Sequence, residues 1–469
     1  MGSSTSRRVG KPSGSAMSVD NSLGASAAAV ELSGALSETL QELDLGGNYS
    51  LDSVYFTKIQ LMNDVTIGSL SGQLKRLLQQ LDQEASKYTN SEISDDGASN
   101  RWNCSQAEAQ LVSAAWKCAR TTYDLESTLT DTTYCRFRHD HVLKHSITGT
   151  VKAMTSTVVE PVAESDLLPV LVIAVRGSAN KMDHIVNANS GPKATDDFLH
   201  LDLLNQPDVQ AHSGFLNSAW ALDDIISERI NKYIKTAKSG SGRKPRILFT
   251  GHSAGGAVAS LFYLHYLSNQ GFAESASFSC VTFGAPPCLT APIDLSSHVP
   301  SSKTLCLNII NEFDIVSRAD KPYILSLVDL VRSKLELPTE TPVSNQDRSE
   351  DIVAAALDAT QAAETAPLPS LSSFYTEPEG DFSSTDPNFW RLPQPLYHHV
   401  GTRVVFAMRL AGHEIGLRAV EVPPLEFQQL LFCRIAVHFK ARYGERVEML
   451  ESGRFNHRLG WEDRHTGVV

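Results

Sequence analysis

The stretch RILFTGHSAGGAVASLFYL, Arg246 to Leu264, decides how this chain is read. β-favouring residues run into Gly251-His252-Ser253-Ala254-Gly255, and an apolar segment of helical character follows directly. This is the G-x-S-x-G pattern in the setting it requires, a strand, a tight turn and a helix. Glycine on either side leaves room for a turn in which a Cβ would strike neighbouring backbone. The turn lifts the Ser253 hydroxyl above a helix N-terminus, whose amide donors and positive dipole can hold a developing negative charge. Ser253 is therefore the candidate nucleophile, and the rest of the chain has to supply its base and the carboxylate behind it.

Outward from that stretch, strand and helix alternate. Upstream, ITGTVKAMTSTVVE from Ile147 reads as a strand, and LLPVLVIAV, Leu167 to Val175, is apolar throughout, as a strand covered on both faces should be. Between them and Ser253, Phe215, Leu216, Ala219, Trp220, Ile226 and Ile230 follow helical spacing until Gly240 and Gly242. Strands are then expected at Arg246 to Thr250, Phe278 to Phe283 and Lys303 to Ile310, another in LYHHVGTRVVFAMRL, and a final helix in FQQLLFCRIAVHFKARYGERVEML from Phe427. The alternation implies an α/β protein with a mainly parallel central sheet and helices on both faces.

Before this region, Leu70 to Lys87 and Gln106 to Glu126 have helical spacing, the second with Leu111, Ala115, Trp116 and Ala119 on one side. The expected organisation is a Ser/Gly-rich leader over 1–48, too poor in large apolar side chains to repay its ordering entropy. Helices packing on the core then occupy 49–146, and the main domain runs over 147–469. Within it 337–388, rich in Ser, Pro, Thr and acids, reads as an insertion before the last strand.

A composition of 42% hydrophobic and 20% charged residues is that of a globular chain. The net charge of -12, with no basic stripe to offset it, argues against nucleic acid as a partner. The seven cysteines are widely spaced without a C-x-x-C pair, and no EF-hand spacing is present, so neither a metal nor an organic cofactor is expected. The N-terminus carries no apolar h-region and the longest apolar run is too short to span a bilayer, which makes cytoplasmic the expected location. In MGSSTSRR, Gly2 and Ser6 fit the N-myristoylation pattern, with Arg7, Arg8 and Lys11 behind them. One acyl chain binds membranes with a constant of about 10⁴ M⁻¹, so this would be a reversible peripheral contact. The alternative is a leader that matches the pattern by chance.

TGHSAGGAVASL, together with VRGS at Val175 to Ser178, HSGFLNSAW from His212, TFGAPP at Thr282 to Pro287 and NEFDIVSR from Asn311, resembles the class 3 lipases, the fungal lipase-like branch of the α/β-hydrolases. The motifs stand in the family's order and cover Leu167 to the C-terminus. The resemblance implies an α/β-hydrolase fold and a serine carboxylic-ester hydrolase that forms an acyl-enzyme on Ser253, with a lipid or other acyl ester, acylglycerol foremost, as substrate. It implies Asp314 as the carboxylate that orients the base, with Asp320 as a competitor past the turn, and the backbone N–H groups of Ser178 and Ala254 as the oxyanion hole. For the base it favours His438, close to the C-terminal helix and spaced from Tyr443 and Val447 as in the family. His399 in YHHVG is the alternative, in a stretch that the family assigns to a late strand. His252 is expected to point away and pack. The lid segment, Ala179 to Phe198, has His184 near the place of the family's tryptophan and few large apolar residues. A short-chain esterase, a phospholipase or an acyltransferase with the same triad, or a non-catalytic lipase-like binding protein, are the alternative readings. Oligomeric state is left open.

Overall fold

In the computed structural model, ten strands follow one another among the described residues: β1 (Cys135–Leu143), β2 (Met154–Pro161), β3 (Val170–Val175), β4 (Pro192–Lys193), β5 (Ala211–His212), β6 (Arg246–His252), β7 (Ser277–Phe283), β8 (Cys306–Asn311), β9 (Thr402–Ala411) and β10 (Glu414–Val422). The helices used below are α1 (Gln106–Thr121), α2 (Ser213–Lys238), α3 (Ala254–Ser268), α4 (Gln270–Ser275), α5 (Pro424–Gln428) and α6 (Lys440–Glu451). The structure describes residues 81–94, 101–124, 128–143, 153–177, 191–195, 198–200, 208–238, 244–295, 304–320, 322–324, 326–327, 330, 386–411 and 414–461. The leader with Gly2, most of the Leu70 to Lys87 helix, Ser178, most of the lid segment with His184, and the 337–388 insertion up to 385 lie outside them.

Eight strands form one sheet in the order β1-β2-β3-β6-β7-β8-β9-β10, and β4 and β5 pair separately. The five central strands, β3 to β9 in that order, are parallel, and antiparallel pairs flank them at both edges. This is the α/β-hydrolase fold. Alternate side chains of the central strands feed two cores. Ile173, Ile247 and Phe249 meet Leu216, Ile226 and Ile230 of α2 and Phe262 of α3 on one face, and Val172, Leu248 and Phe283 meet Trp116 of α1 and Tyr443 and Val447 of α6 on the other. The α3 helix is apolar nearly all round because it is buried along its length. A capping box starts α1: Ser105 Oγ accepts from the Glu108 N–H at 3.2 Å, and the Glu108 carboxylate accepts from the Ser105 N–H at 2.6 Å.

Three elements differ from expectation. Residues 135–143, inside the segment read as helical, form edge strand β1, whose CRFRHDHVL sequence is polar because an edge strand keeps one side in water. The sheet also continues past β9 into β10, where EIGLRAVEV pairs as an antiparallel hairpin. The helix expected from Phe427 starts only at Lys440. Pro423 and Pro424 open just the five-residue α5, after which the backbone bonds outward, Asn90 Nδ2–H to the Gln429 carbonyl at 2.6 Å and the Leu431 N–H to the Asn90 carbonyl at 2.8 Å. Within α2, Trp220 stays 41% exposed while the other residues of the expected face are buried. All seven cysteines are free, six of them buried. Among the described residues no helix is long and apolar enough to cross a membrane, and no group of His, Cys, Asp or Glu is arranged to hold a metal ion.

Candidate active site

The carboxyl ends of β6, β8 and the loop before α6 converge on one point. Ser253 leaves β6 with φ 57° and ψ -137°, an unusual conformation for a residue with a side chain, and it caps α3. Its N–H donates to the Phe283 carbonyl at 2.9 Å, which pins the turn to the neighbouring strand. The flanking glycines are required: a Cβ on Gly251 would lie 2.7 Å from the Gly256 nitrogen, and one on Gly255 2.6 Å from the Arg176 carbonyl carbon. Ala254 is the first residue of α3, so its N–H belongs to the first turn of that helix.

Beyond β8, Asp314 caps the 3₁₀ turn Ile315–Arg318, its Oδ1 accepting from the Val316 N–H at 2.9 Å. His438 Nδ1–H donates to the same carboxylate, at 2.8 Å from Oδ2 and 3.1 Å from Oδ1. Tyr443 Oη–H donates to Oδ2 at 2.6 Å and accepts from the Asn311 N–H at 3.0 Å. Burial first, then the adjacent Asp314 carboxylate, push the Tyr443 phenol well above its ordinary pKa, so it remains a donor to that oxygen. The loop bearing His438 is tied down by backbone as well. Arg434 N–H donates to the Phe313 carbonyl at 2.8 Å, and Asn311 Nδ2–H to the Val437 carbonyl at 2.7 Å. Gly284, in TFGAPP, has φ +55° and passes so close that a Cβ there would sit 2.7 Å from Tyr443 Oη, 2.8 Å from Asp314 Oδ2 and 3.0 Å from His438 Cε1. Asp314 and His438 are 0% and 1% exposed and Ser253 8%, so the serine is the end of the group nearest to solvent.

Of the two histidines weighed from the sequence, the structure brings His438 onto Asp314. His399 instead donates through Nε2–H to the Ala285 carbonyl at 3.0 Å, in a small cleft shared with Arg318, Asp320, His398 and Arg403. Asp320 is occupied structurally: its carboxylate accepts the N–H groups of Tyr323 at 3.0 Å, Leu396 at 2.7 Å and Tyr397 at 3.3 Å. His252, expected to face away, has its ring centroid 4.7 Å from that of His438 and is fully buried. Burial first, then His438, hold its pKa well below the usual histidine value. Sequence reasoning missed that contact and the hydrogen bond between Tyr123 and the His252 ring, which no motif marks.

Burial, with help from Arg403, pushes the His399 pKa from 6.5 down to about 3. Unfolded, the same ring titrates near 6.5, so below that pH the unfolded chain takes up the proton and the folded one does not. The contribution of His399 to stability is therefore complete above about 6.5 and is lost as the pH falls from there toward 3. At roughly 1.4 kcal/mol per unit, going from pH 7 to pH 5 costs about 2 kcal/mol through this residue. Denaturant unfolding at the two pH values is expected to show that loss in the wild type, and a loss smaller by that amount in His399→Gln. An identical pH dependence in both would refute the assignment.

Comparison with known proteins finds similarity over part of the chain. The sequence model of lipase (class 3) matches residues 172–323. The chain is 30% identical over 150 residues to Protein EDS1B of Arabidopsis thaliana, covering 31% of this chain and 23% of that protein. It is 31% identical over 140 residues to secreted mono- and diacylglycerol lipase 1 of Fusarium solani, covering 30% and 37%. The chain thus spans well under half the length of either relative. Among solved structures, the lipase of Rhizopus microsporus var. chinensis matches with a TM-score of 0.34 at 15% identity, over 49% of this chain and 76% of that one. The native Rhizomucor miehei lipase propeptide complex matches with a TM-score of 0.33 at 17% identity, over 49% and 73%. The similarity to class 3 lipases thus spans residues 172–323, from β3 through Ser253 and Asp314 to Tyr323, and stops short of His438.

Proposed function

We propose that the protein is a serine hydrolase of carboxylic esters, acting on lipid-like acyl esters and on acylglycerols foremost. The observation that carries this reading is the Asp314–His438–Tyr443 cluster packed against His252, the residue that enters the strained Ser253 turn. Because His438 gives its Nδ1–H to Asp314, Nε2 is the nitrogen left to accept a proton. In the proposed sequence, Ser253 Oγ attacks the ester carbonyl while His438 takes the hydroxyl proton, and the same imidazolium then returns it to the departing alcohol. Water, activated by His438 in turn, cleaves the acyl-enzyme and releases the acid. Asp314 stabilises the imidazolium in both halves. The N–H of Ala254 at the start of α3 is one oxyanion donor in this scheme and that of Ser178 the other.

The acylglycerol preference is supported by the likeness to the Fusarium lipase. With the signature at Gly2, a cytoplasmic enzyme that reaches lipid surfaces reversibly completes the proposal. Hydrolysis of p-nitrophenyl esters of graded chain length tests it, with monoacyl- and diacylglycerol as the second arm. The expected result is kcat/KM rising with chain length and release of fatty acid from both glycerides. Activity confined to acetate and butyrate esters would make this a short-chain esterase, and no hydrolysis of any ester would overturn the enzyme reading.

A further inference from the structure

Tyr123 follows α1, outside the class 3 lipase match and outside every motif that led to the site. Its hydroxyl lies 3.0 Å from His252 Nδ1. On the other side of that ring, His252 Nε2 lies 3.0 Å from the carbonyl oxygen of His438. A carbonyl only accepts, so Nε2 carries the hydrogen. Burial keeps His252 neutral, which leaves Nδ1 as an acceptor and makes Tyr123 the donor. The tautomer is thereby fixed from both ends. Two more contacts converge on the same phenol. The Lys440 ammonium, two residues past His438, sits 3.9 Å from the centre of the Tyr123 ring. The α-carbon of Gly177, at the exit of β3, faces the hydroxyl so closely that a Cβ there would collide with it, while lying 3.3 Å from the Ser253 Cβ.

We propose that Tyr123, acting through neutral His252, is a positioning residue of the active site: it holds the loop carrying His438, the turn carrying Ser253 and the exit of β3 in one register. The role rests on the ester-hydrolase reading. Geometry and charge agree in it. A backbone carbonyl fixed by a neutral ring keeps the His438 loop at its distance, and a second cation beside the imidazolium that forms on His438 is avoided. The segment before β1 is then a working part of the site, since the turn that follows α1 delivers the hydroxyl.

The experiment compares wild type, Ser253→Ala, Tyr123→Phe, His252→Gln and the Tyr123→Phe/His252→Gln double variant on one p-nitrophenyl ester, with a thermal melt of each. His252→Gln keeps a donor for the His438 carbonyl and removes the Nδ1 acceptor at 3.0 Å, leaving Tyr123 the longer bond to the backbone carbonyl of residue 252 at 3.4 Å. Removing one such bond is expected to lower kcat about tenfold in either single variant, with KM within about twofold of wild type. The double variant should be no worse than the worse single one, because both remove the same link. Additive losses, or a Tyr123→Phe enzyme with wild-type kcat, would overturn the positioning role while wild type still hydrolyses and Ser253→Ala does not. A wild type as inactive as Ser253→Ala would remove the ester-hydrolase reading and this inference with it. Should Tyr123→Phe fail to melt cooperatively, His252→Gln decides: full kcat there overturns the proposal.

Discussion

His438→Ala is expected to lower kcat for a p-nitrophenyl ester about 10⁶-fold, as far as Ser253→Ala does, since nucleophile and base act as a unit. His399→Gln is expected to turn over at the wild-type rate. The two histidines differ in what faces them. His438 Nδ1–H is committed to Asp314 at 2.8 Å, which orients the ring and leaves Nε2 as the base. His399 gives its Nε2–H to a backbone carbonyl, and burial with Arg403 and Arg318 nearby disfavours a positive charge on its ring. Steady-state kinetics of the two variants, with circular dichroism to establish that both fold, makes the comparison. If His438→Ala kept most of its activity, the base would have to be another residue.

Asp314→Asn should cost about 10⁴-fold in kcat with little change in KM. The replacement has the same shape, but its single carbonyl oxygen can take only one of the two carboxylate positions, Oδ1 facing the Val316 N–H or Oδ2 facing the Tyr443 hydroxyl. The charge that stabilises an imidazolium disappears, however, and the amide nitrogen, a donor, cannot accept the hydrogen bonds that Oδ1 takes from His438 Nδ1–H and the Val316 N–H. Tyr443 adds to the effect, because its hydroxyl donates at 2.6 Å to the Oδ2 position and selects the orientation of the amide that puts oxygen there. The oxygen of that amide then has two donors to serve, and turning it over points NH₂ at the phenol. A pH-rate profile checks this: the loss is expected at every pH. A loss that vanished at high pH would mean that Asp314 merely adjusts the pKa of the base.

The short-range signals in the sequence carried most of this. The Ser253 turn was legible because glycines, strand and helix must coincide there, and the parallel strands because both of their faces are buried and their sequences are apolar throughout. The position of Asp314 and His438 came from likeness to a family. No local pattern links residues 124 apart, and their hydrogen bond depends on the backbone ties from Asn311 and Phe313 to the Val437 and Arg434 segment. Edge strands β1 and β10 were missed because each carries charged residues over much of its length. The contact between Tyr123 and His252 could not be read from the sequence. A phenol at a helix end looks the same whether it faces water or a neutral imidazole.

Asp320 has a further meaning for how this protein can vary. Leu307 in β8 and Thr402 in β9 are partners in adjacent parallel strands, yet 95 positions separate them in the chain. Asp320 gathers both ends of that connection, taking one N–H from Tyr323 on the outgoing side and two from Leu396 and Tyr397 on the return. The ends are thus joined before the excursion begins, and the closure term changes slowly, by about 0.6 kcal/mol for each doubling of length. Chain can therefore be gained or lost between Leu330 and Asp386 without moving Asp314 or His438, which makes the stretch a site where a reporter domain could be spliced in.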